Sequence, residues 1–324
     1  MKRAMVVCLI LTAAWIGLSA GLAAAQTYPE HPVRMIVPYA PGGQFDIHAR
    51  ALANKMRETL GQTVIIENKP GAATALGTTF VAQSKNDGYT ILFAGANAFA
   101  IAPHQIKDLS YKVSDFQPIS LVSMLPQGLI INSNVIPAKN LAEFIAFMKK
   151  NPGKFTYGTS GTGGAQHLIG EHLKRTVGID MVQVGYRGTP EVLQELLSGQ
   201  IVLTIDGVVA YLPRTGANGP LRVIAVNSSK RLEAVSEAPT FEELGYPQMT
   251  SGSWGAIFAP AGTPRTAVDA LRRSIVAAND SPEIREFVIK SGATPTTSTP
   301  EELQALIAAD YVKWGEMLKL LNTN

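Results

Sequence analysis

Alternating strand and helix signals predict an α/β fold of two lobes around a cleft, and three observations carry that expectation. Strand, helix, strand, helix and strand follow one another from Val33 to Phe93. The same order returns between Leu141 and Val226, after an extended stretch from Phe116 to Asn132. The C-terminal third holds one strand and several helices with no sheet of their own. Strands joined through helices make right-handed crossovers, so each lobe is expected to be a mostly parallel sheet flanked by helices. Helices without a sheet must pack on an existing layer. The chain is therefore expected to return to the first lobe. That makes lobe 1 residues 26–125 and 250–324 and lobe 2 residues 126–249, joined by a hinge of crossing strands.

The N-terminus precedes this pattern. Lys2 and Arg3 lead an apolar run from Ala4 to Leu22 that ends in Ala23-Ala24-Ala25. A basic start, an apolar middle and a small-residue exit are the parts of a secretory signal peptide. No basic stop-transfer residues follow, which argues against a membrane anchor. Cleavage after Ala25 leaves 299 of the 324 residues and takes the formal charge from +3 to +1. It also removes Cys8, the only cysteine, leaving no disulfide, thiol nucleophile or thiolate metal site. The periplasm is the expected compartment. With 28 Lys and Arg against 25 Asp and Glu and no basic cluster, nucleic acid is not expected as a partner.

In order along the chain, Val33–Val37 is apolar and strand-like, closed by Pro38 and the turn Pro41-Gly42-Gly43. Phe45, Ala49, Leu52, Met56 and Leu60 recur at helical spacing from about Asp46, and Gly61 stops that helix. Thr63–Glu67 and Tyr89–Phe93 are strands on either side of a helix from about Thr74 to Ser84. Phe116 to Asn132 is β-branched and interrupted by Pro118 and Pro126, as suits strands crossing between lobes. A helix from Leu141 to Lys150 ends at Asn151-Pro152-Gly153. Strands follow at Phe155–Tyr157, Val182–Tyr186, Ile201–Ile205 and Leu221–Val226, with helices through Val177 and over Thr189–Ser198 between them. Trp254–Ala259 is the last strand. Pro264, Pro282 and Pro300 mark the first turns of three closing helices.

Two segments could carry chemistry. Pro38 to Asp46 lies between a parallel strand and a helix, where open α/β sheets bind ligands. Gly42 and Gly43 let the backbone approach a ligand, and a helix N-terminus attracts an anion. Asp46 reads as the N-cap of that helix rather than a base. Gly158 to His167 has the same placement in the second lobe, with hydroxyls at Thr159, Ser160 and Thr162. It lacks the Gly-Lys-Ser/Thr of a P-loop, Gln166 breaks the dinucleotide fingerprint, and Thr162 breaks the nucleophile elbow. His167, Glu171 and His172 miss the zinc spacings, and His31, His48 and His104 are scattered, so no metal or other cofactor is expected. Tyr186-Arg187-Gly188-Thr189 and Asp206 sit at further strand ends and are expected to face the cleft, whereas Trp254 reads as core.

The ordered set of motifs resembles the substrate-binding proteins of tripartite tricarboxylate transporters, also called the Bug family. The resemblance runs from Tyr28-Pro29-Glu30-His31-Pro32 through Pro41-Gly42-Gly43, Glu67-Asn68-Lys69-Pro70-Gly71-Ala72 and Asp87-Gly88-Tyr89-Thr90. It continues through Tyr157-Gly158-Thr159-Ser160-Gly161, Tyr186-Arg187-Gly188, Gly199-Gln200-Ile201 and Ala238-Pro239-Thr240. Phe258 to Pro264 and Lys313-Trp314-Gly315 complete it. It implies a two-lobed, type II-like periplasmic binding protein that is not an enzyme. Such a protein closes as a monomer on a small carboxylate and delivers it to a membrane permease. The implied ligand residues are Tyr39, Gly42, Gly43, Gln44, Phe45 and Asp46 in the first lobe and Thr159, Ser160, Thr162, Gly163 and Gly164 in the second. Asp206 matches a frequent family aspartate near the cleft. Gln44 and Phe45 fill variable positions, Gly164 stands where many members have Ser, and Glu191 where many have Pro. Phe45 points to a larger or aromatic carboxylate. A sensor subunit and a secreted hydrolase using Ser160 are the alternatives.

Overall fold

The computed structural model describes residues 28–216, 218–250 and 252–322; the expected signal peptide and its cleavage site lie outside the described residues. Strands β1 (Val33–Val37), β2 (Val64–Asn68) and β3 (Thr90–Ala94) run parallel, with β1 between the other two. Helix α1 (Gln44–Leu60) connects β1 to β2 and α2 (Ala75–Ala82) leads toward β3. The spacing of Ala49, Leu52, Ala53, Met56 and Leu60 puts one apolar face of α1 into the core, and Gly61 ends the helix in a left-handed turn at φ 69°. After β3 a π-helical turn, Asn97–Ile101, runs into α3 (Ala102–Gln105).

β4 (Phe116–Leu125) and β5 (Gln127–Asn132) are one extended path broken only at Pro126. β4 belongs to the first sheet and β5 to the second, so the chain changes sheets within a single residue. Proline lacks the N–H that a continuous ladder would need at that point. Helix α4 (Leu141–Lys149) follows, N-capped by the Asn140 side chain. Next come β6 (Thr156–Thr159), α5 (Ala165–Val177), β7 (Val182–Gly185), α6 (Thr189–Ser198), β8 (Leu203–Gly207) and β9 (Leu221–Val226). The return is β10 (Ser253–Pro260), inserted between β3 and β4. Helices α7 (Arg265–Asp280) and α8 (Pro282–Lys290), the short β11 (Thr294–Pro295) and α9 (Pro300–Asn322) close the chain.

The first sheet has the order β11-β4-β10-β3-β1-β2 and the second β7-β6-β8-β5-β9. The two-sheet α/β architecture matches the expectation; the strand directions need correction. Only β1–β3 and β6–β8 pair in parallel, while β10 runs antiparallel to both β3 and β4, and β5 antiparallel to β8 and β9. Periodicity identifies a strand but not its direction. The strands that cross between sheets enter their neighbours without a crossover helix, and nothing obliges them to be parallel. Pro264 is the N-cap of α7 rather than part of its first turn, whereas Pro282 does occupy the first turn of α8 behind the Ser281 cap. Trp254 is fully buried, and its indole N–H donates to Asp310 at 2.7 Å, tying β10 to α9.

Candidate functional site

A cavity of about 310 Å³ lies between the two sheets, and three helix N-termini meet at its wall. The N-caps are Gly43 of α1, Gly164 of α5 and Gly188 of α6, glycines with no side chain to cap their own helices, although Asn97 takes up the first N–H of α5, that of Ala165. Unsatisfied first-turn N–H groups and the helix dipole make such ends favourable for an anion. Among the described lining residues the charged side chains are Asp206 and Arg187. The Arg187 side chain is 93% exposed and 3.9 Å from Glu191, so it sits at the mouth and not at the floor.

The loop after β1 is held from behind. Asp46 is buried in the first turn of α1, and its carboxylate accepts hydrogen bonds from the Gly42 N–H at 2.9 Å, Arg50 Nε at 3.0 Å and Asn68 Nδ2 at 2.9 Å. Asn68 also donates to the Tyr39 carbonyl at 3.1 Å. Burial opposes ionisation of Asp46, but the bonds from Arg50, Gly42 and Asn68 outweigh it and hold the carboxyl below the usual range. The expected N-cap role is therefore corrected. Gly43 takes that position, and Asp46 clamps the loop from the third helical residue. Tyr39 and Phe45 stack at 3.9 Å, and Phe45 also lies 5.6 Å from Phe93.

In the second lobe a chain of hydrogen bonds starts at Asp206. Its carboxylate accepts from Thr189 Oγ1 and the Tyr211 hydroxyl, both at 2.9 Å, from the Gly207 N–H at 2.7 Å, and from Gln166 Nε2. Each oxygen thus holds two donors. Burial raises the Asp206 pKa above the carboxylate norm, with these donors pulling the other way. Anchored at its nitrogen, Gln166 turns its oxygen to the Ser160 N–H and hydroxyl. Ser160 consequently donates to an amide and not to a base. His167, the nearest histidine in sequence, accepts at Nδ1 from the Gly163 N–H at 3.0 Å. The hydrolase alternative fails on this geometry, because a nucleophile needs a general base within reach. Among the described residues no group of three or more His, Cys, Asp or Glu could hold a metal.

Of the residues singled out from sequence, Tyr39, Gly43, Gln44, Phe45, Ser160, Thr162, Gly164 and Asp206 line the cavity. Gly42, Asp46, Thr159 and Gly163 do not line it: Gly42 is exposed, whereas Thr159 is fully buried and donates to the Gly161 carbonyl at 2.7 Å. Glu191, in place of the family proline, accepts from the Arg187 N–H at 3.0 Å and shapes the entry to α6. Sequence reasoning did not single out Pro70–Thr74, Asn97, Gln127, Gln166 or Ser253 as ligand residues, yet all line the cavity. Ala72, Ala73 and Thr74 sit at φ 48°, 50° and 81°, a left-handed run without glycine. Such strain persists where surrounding contacts impose it and clusters at functional sites. Asn97 reaches across the seam, its Oδ1 accepting the Ala165 N–H at 2.9 Å. Buried atoms without partners include Gln44 Nε2, Thr74 Oγ1 and Gln127 Oε1, all on lining residues. The glycine-rich signal that identified two loops is silent about these.

Comparison with known proteins agrees with this geometry. A family model described as the tripartite tricarboxylate transporter family receptor matches residues 48–323. Protein BugT of Bordetella pertussis is 34% identical over 306 residues, covering 93% of each chain. The solved structure of the periplasmic binding protein BugD superposes with a TM-score of 0.85 at 36% identity, covering 92% of this chain and 99% of that one. The R. palustris protein Rpa4515, solved with adipate, superposes with a TM-score of 0.86 at 29% identity, covering 91% and 98%.

Proposed function

Because the chain belongs to the tripartite tricarboxylate transporter receptor family, whose members are periplasmic solute-binding proteins and not enzymes, we propose that it captures a small carboxylate in the inter-lobe cavity and passes it to the membrane permease of such a transporter. The observation that carries this reading is the convergence of three glycine-capped helix N-termini on one cavity. Backbone amides and the Thr162 hydroxyl then supply the anion site without a buried cation. Fixed donors held by Asp206 and Asp46 lose little entropy when the ligand arrives. The related R. palustris protein with adipate supports the substrate class. A ligand that touches both lobes stabilises the closed arrangement by its differential affinity. Residues 26–125 with 250–324, and 126–249, are the proposed lobes, and the N-terminal 25 residues the proposed export signal. Calorimetry on ligand-free protein against mono- and dicarboxylates, amino acids and sugars tests the reading. Binding by carboxylates alone is expected; saturable binding of a sugar with no carboxylate response would overturn it.

A further inference from the structure

The first N–H of α5 is satisfied by a residue of the other sheet. Asn97 opens the π-helical turn that follows β3, a strand of the first sheet, and its Oδ1 accepts the Ala165 N–H at 2.9 Å. Gly164, the residue between the second sheet's loop and that N–H, sits at φ −76° and ψ 178°, extended backbone that any residue adopts. Its lack of a side chain is therefore a matter of space. A Cβ on Gly164 would lie 3.3 Å from Asn97 Nδ2 and 3.6 Å from Oδ1. Gly163 yields in the same way to Gln105, whose Oε1 would be 2.9 Å from a Cβ there. Two adjacent glycines of the second sheet's loop thus admit two side chains from the run 97–105. The other two N-cap glycines receive no amide: Gly43 faces Thr189 and Gly188 faces Ala40.

The direction of the bond orients the Asn97 amide. An N–H donor selects the carbonyl oxygen, so the Asn97 N–H₂ is turned away from Ala165, and among the described residues it has no acceptor. Asn97 is half-buried and lines the cavity together with Gly164 and Ala165. Ala165 is 4% exposed, so bringing the sheets together strips its N–H of water, and the Asn97 oxygen takes that water's place. Without such a partner the buried N–H would oppose closure. We propose that Asn97 couples closure to carboxylate recognition: its oxygen satisfies the first N–H of α5 when the sheets meet, and its N–H₂ donates to the ligand carboxylate held at that helix end. It is a positioning residue through its oxygen and a ligand contact through its nitrogen. The inference rests on the carboxylate reading above and adds which residue ties the ligand to closure.

Calorimetry on the ligand-free protein with succinate, glutarate, adipate and benzoate finds the tightest of the four, which is then the probe. Asn97→Ala should weaken it about tenfold, from one buried N–H left unpaired and one donor lost. Asn97→Asp restores an acceptor for Ala165 but sets a negative charge where the donor stood. It should bind the probe at least about threefold more weakly than Asn97→Ala, while its ligand-free urea midpoint is no lower. At saturating probe the Ala165 amide should exchange slowly with solvent in wild type and Asn97→Asp, and faster in Asn97→Ala. Gly164→Ala should weaken the probe about threefold in the presence of Asn97 and cost nothing further in the Asn97→Ala background, where the space is free. Binding by Asn97→Ala within about twofold of wild type overturns the coupling, as does an equal cost of Gly164→Ala in both backgrounds. Asn97→Asp binding as tightly as wild type overturns the donor role. Silence of the wild-type protein toward all four acids overturns the carboxylate reading itself.

Discussion

Replacing Ala73 with glycine should stabilise the protein and weaken its ligand binding at once. Ala73 sits at φ 50°, ψ 45°, flanked by Ala72 and Thr74, also at positive φ. A left-handed backbone costs an L-residue about 1–2 kcal/mol. Glycine removes that cost but enlarges the entropy of the unfolded chain by about 0.4–1 kcal/mol. The net gain is about 0.5–1 kcal/mol of stability, readable as a higher urea midpoint at unchanged slope. The same change frees a loop that lines the cavity, so ordering it becomes part of the cost of binding. About 1 kcal/mol of that cost corresponds to roughly a fivefold rise in Kd. Urea titration with and without ligand, together with calorimetry, reads both effects. A lower midpoint in the ligand-free variant would refute the strain argument, since it would show that the left-handed backbone carries no cost for glycine to relieve.

Asp206→Asn replaces a carboxylate that holds donors at both oxygens with a group that brings its own N–H₂ among them. Loss of about 2–4 kcal/mol of stability and at least about tenfold in affinity is expected, measured by urea midpoint and calorimetry. Gly188→Ala places a methyl group against the Ala40 side chain across the cleft. Overpacking of this kind costs about 1–3 kcal/mol and should appear as a lower urea midpoint together with weaker ligand binding. Asp46 and Asp206 should respond to pH in opposite senses. The lowered pKa of Asp46 gives a contribution present above the unfolded carboxylate value and lost as pH falls through the folded one; the raised pKa of Asp206 gives a contribution greatest in acid and lost as pH rises. Urea midpoints from pH 7 down to about 3 should therefore converge for wild type and Asp46→Asn as acid is approached. A constant gap would contradict the assignment.

Much of the site could be read from local sequence. Gly42-Gly43 and Gly163-Gly164 lie where a strand turns into a helix, and a turn without side chains is a backbone signal carried by adjacent residues. The roles within those loops were harder. Asp46 looked like a cap because Asp commonly starts helices, but α1 begins two residues earlier and the carboxylate serves the loop behind it. Asp206 is expected from its strand end only to face the cleft, and nothing local to it signals the four donors that fill its oxygens. Gln127 and Thr74 carry no local signal, since a lone glutamine or threonine in an extended stretch is ordinary.

By itself, then, the amino-acid sequence determined the elements: which stretches alternate, where apolar residues recur at helical spacing, where Gly and Pro end a segment, and that two glycine-rich turns open helices. These depend on neighbours a few residues apart, whose steric and hydrophobic preferences act whatever the rest of the chain does. Only the tertiary structure decided that β10 returns antiparallel between β3 and β4, that Asp206 organises Gln166 and Ser160, and that the Gln44 side chain packs over Gly207. Those outcomes join residues tens to more than a hundred positions apart. A polar side chain states which bonds it is able to make, and the packed fold selects which of them it makes.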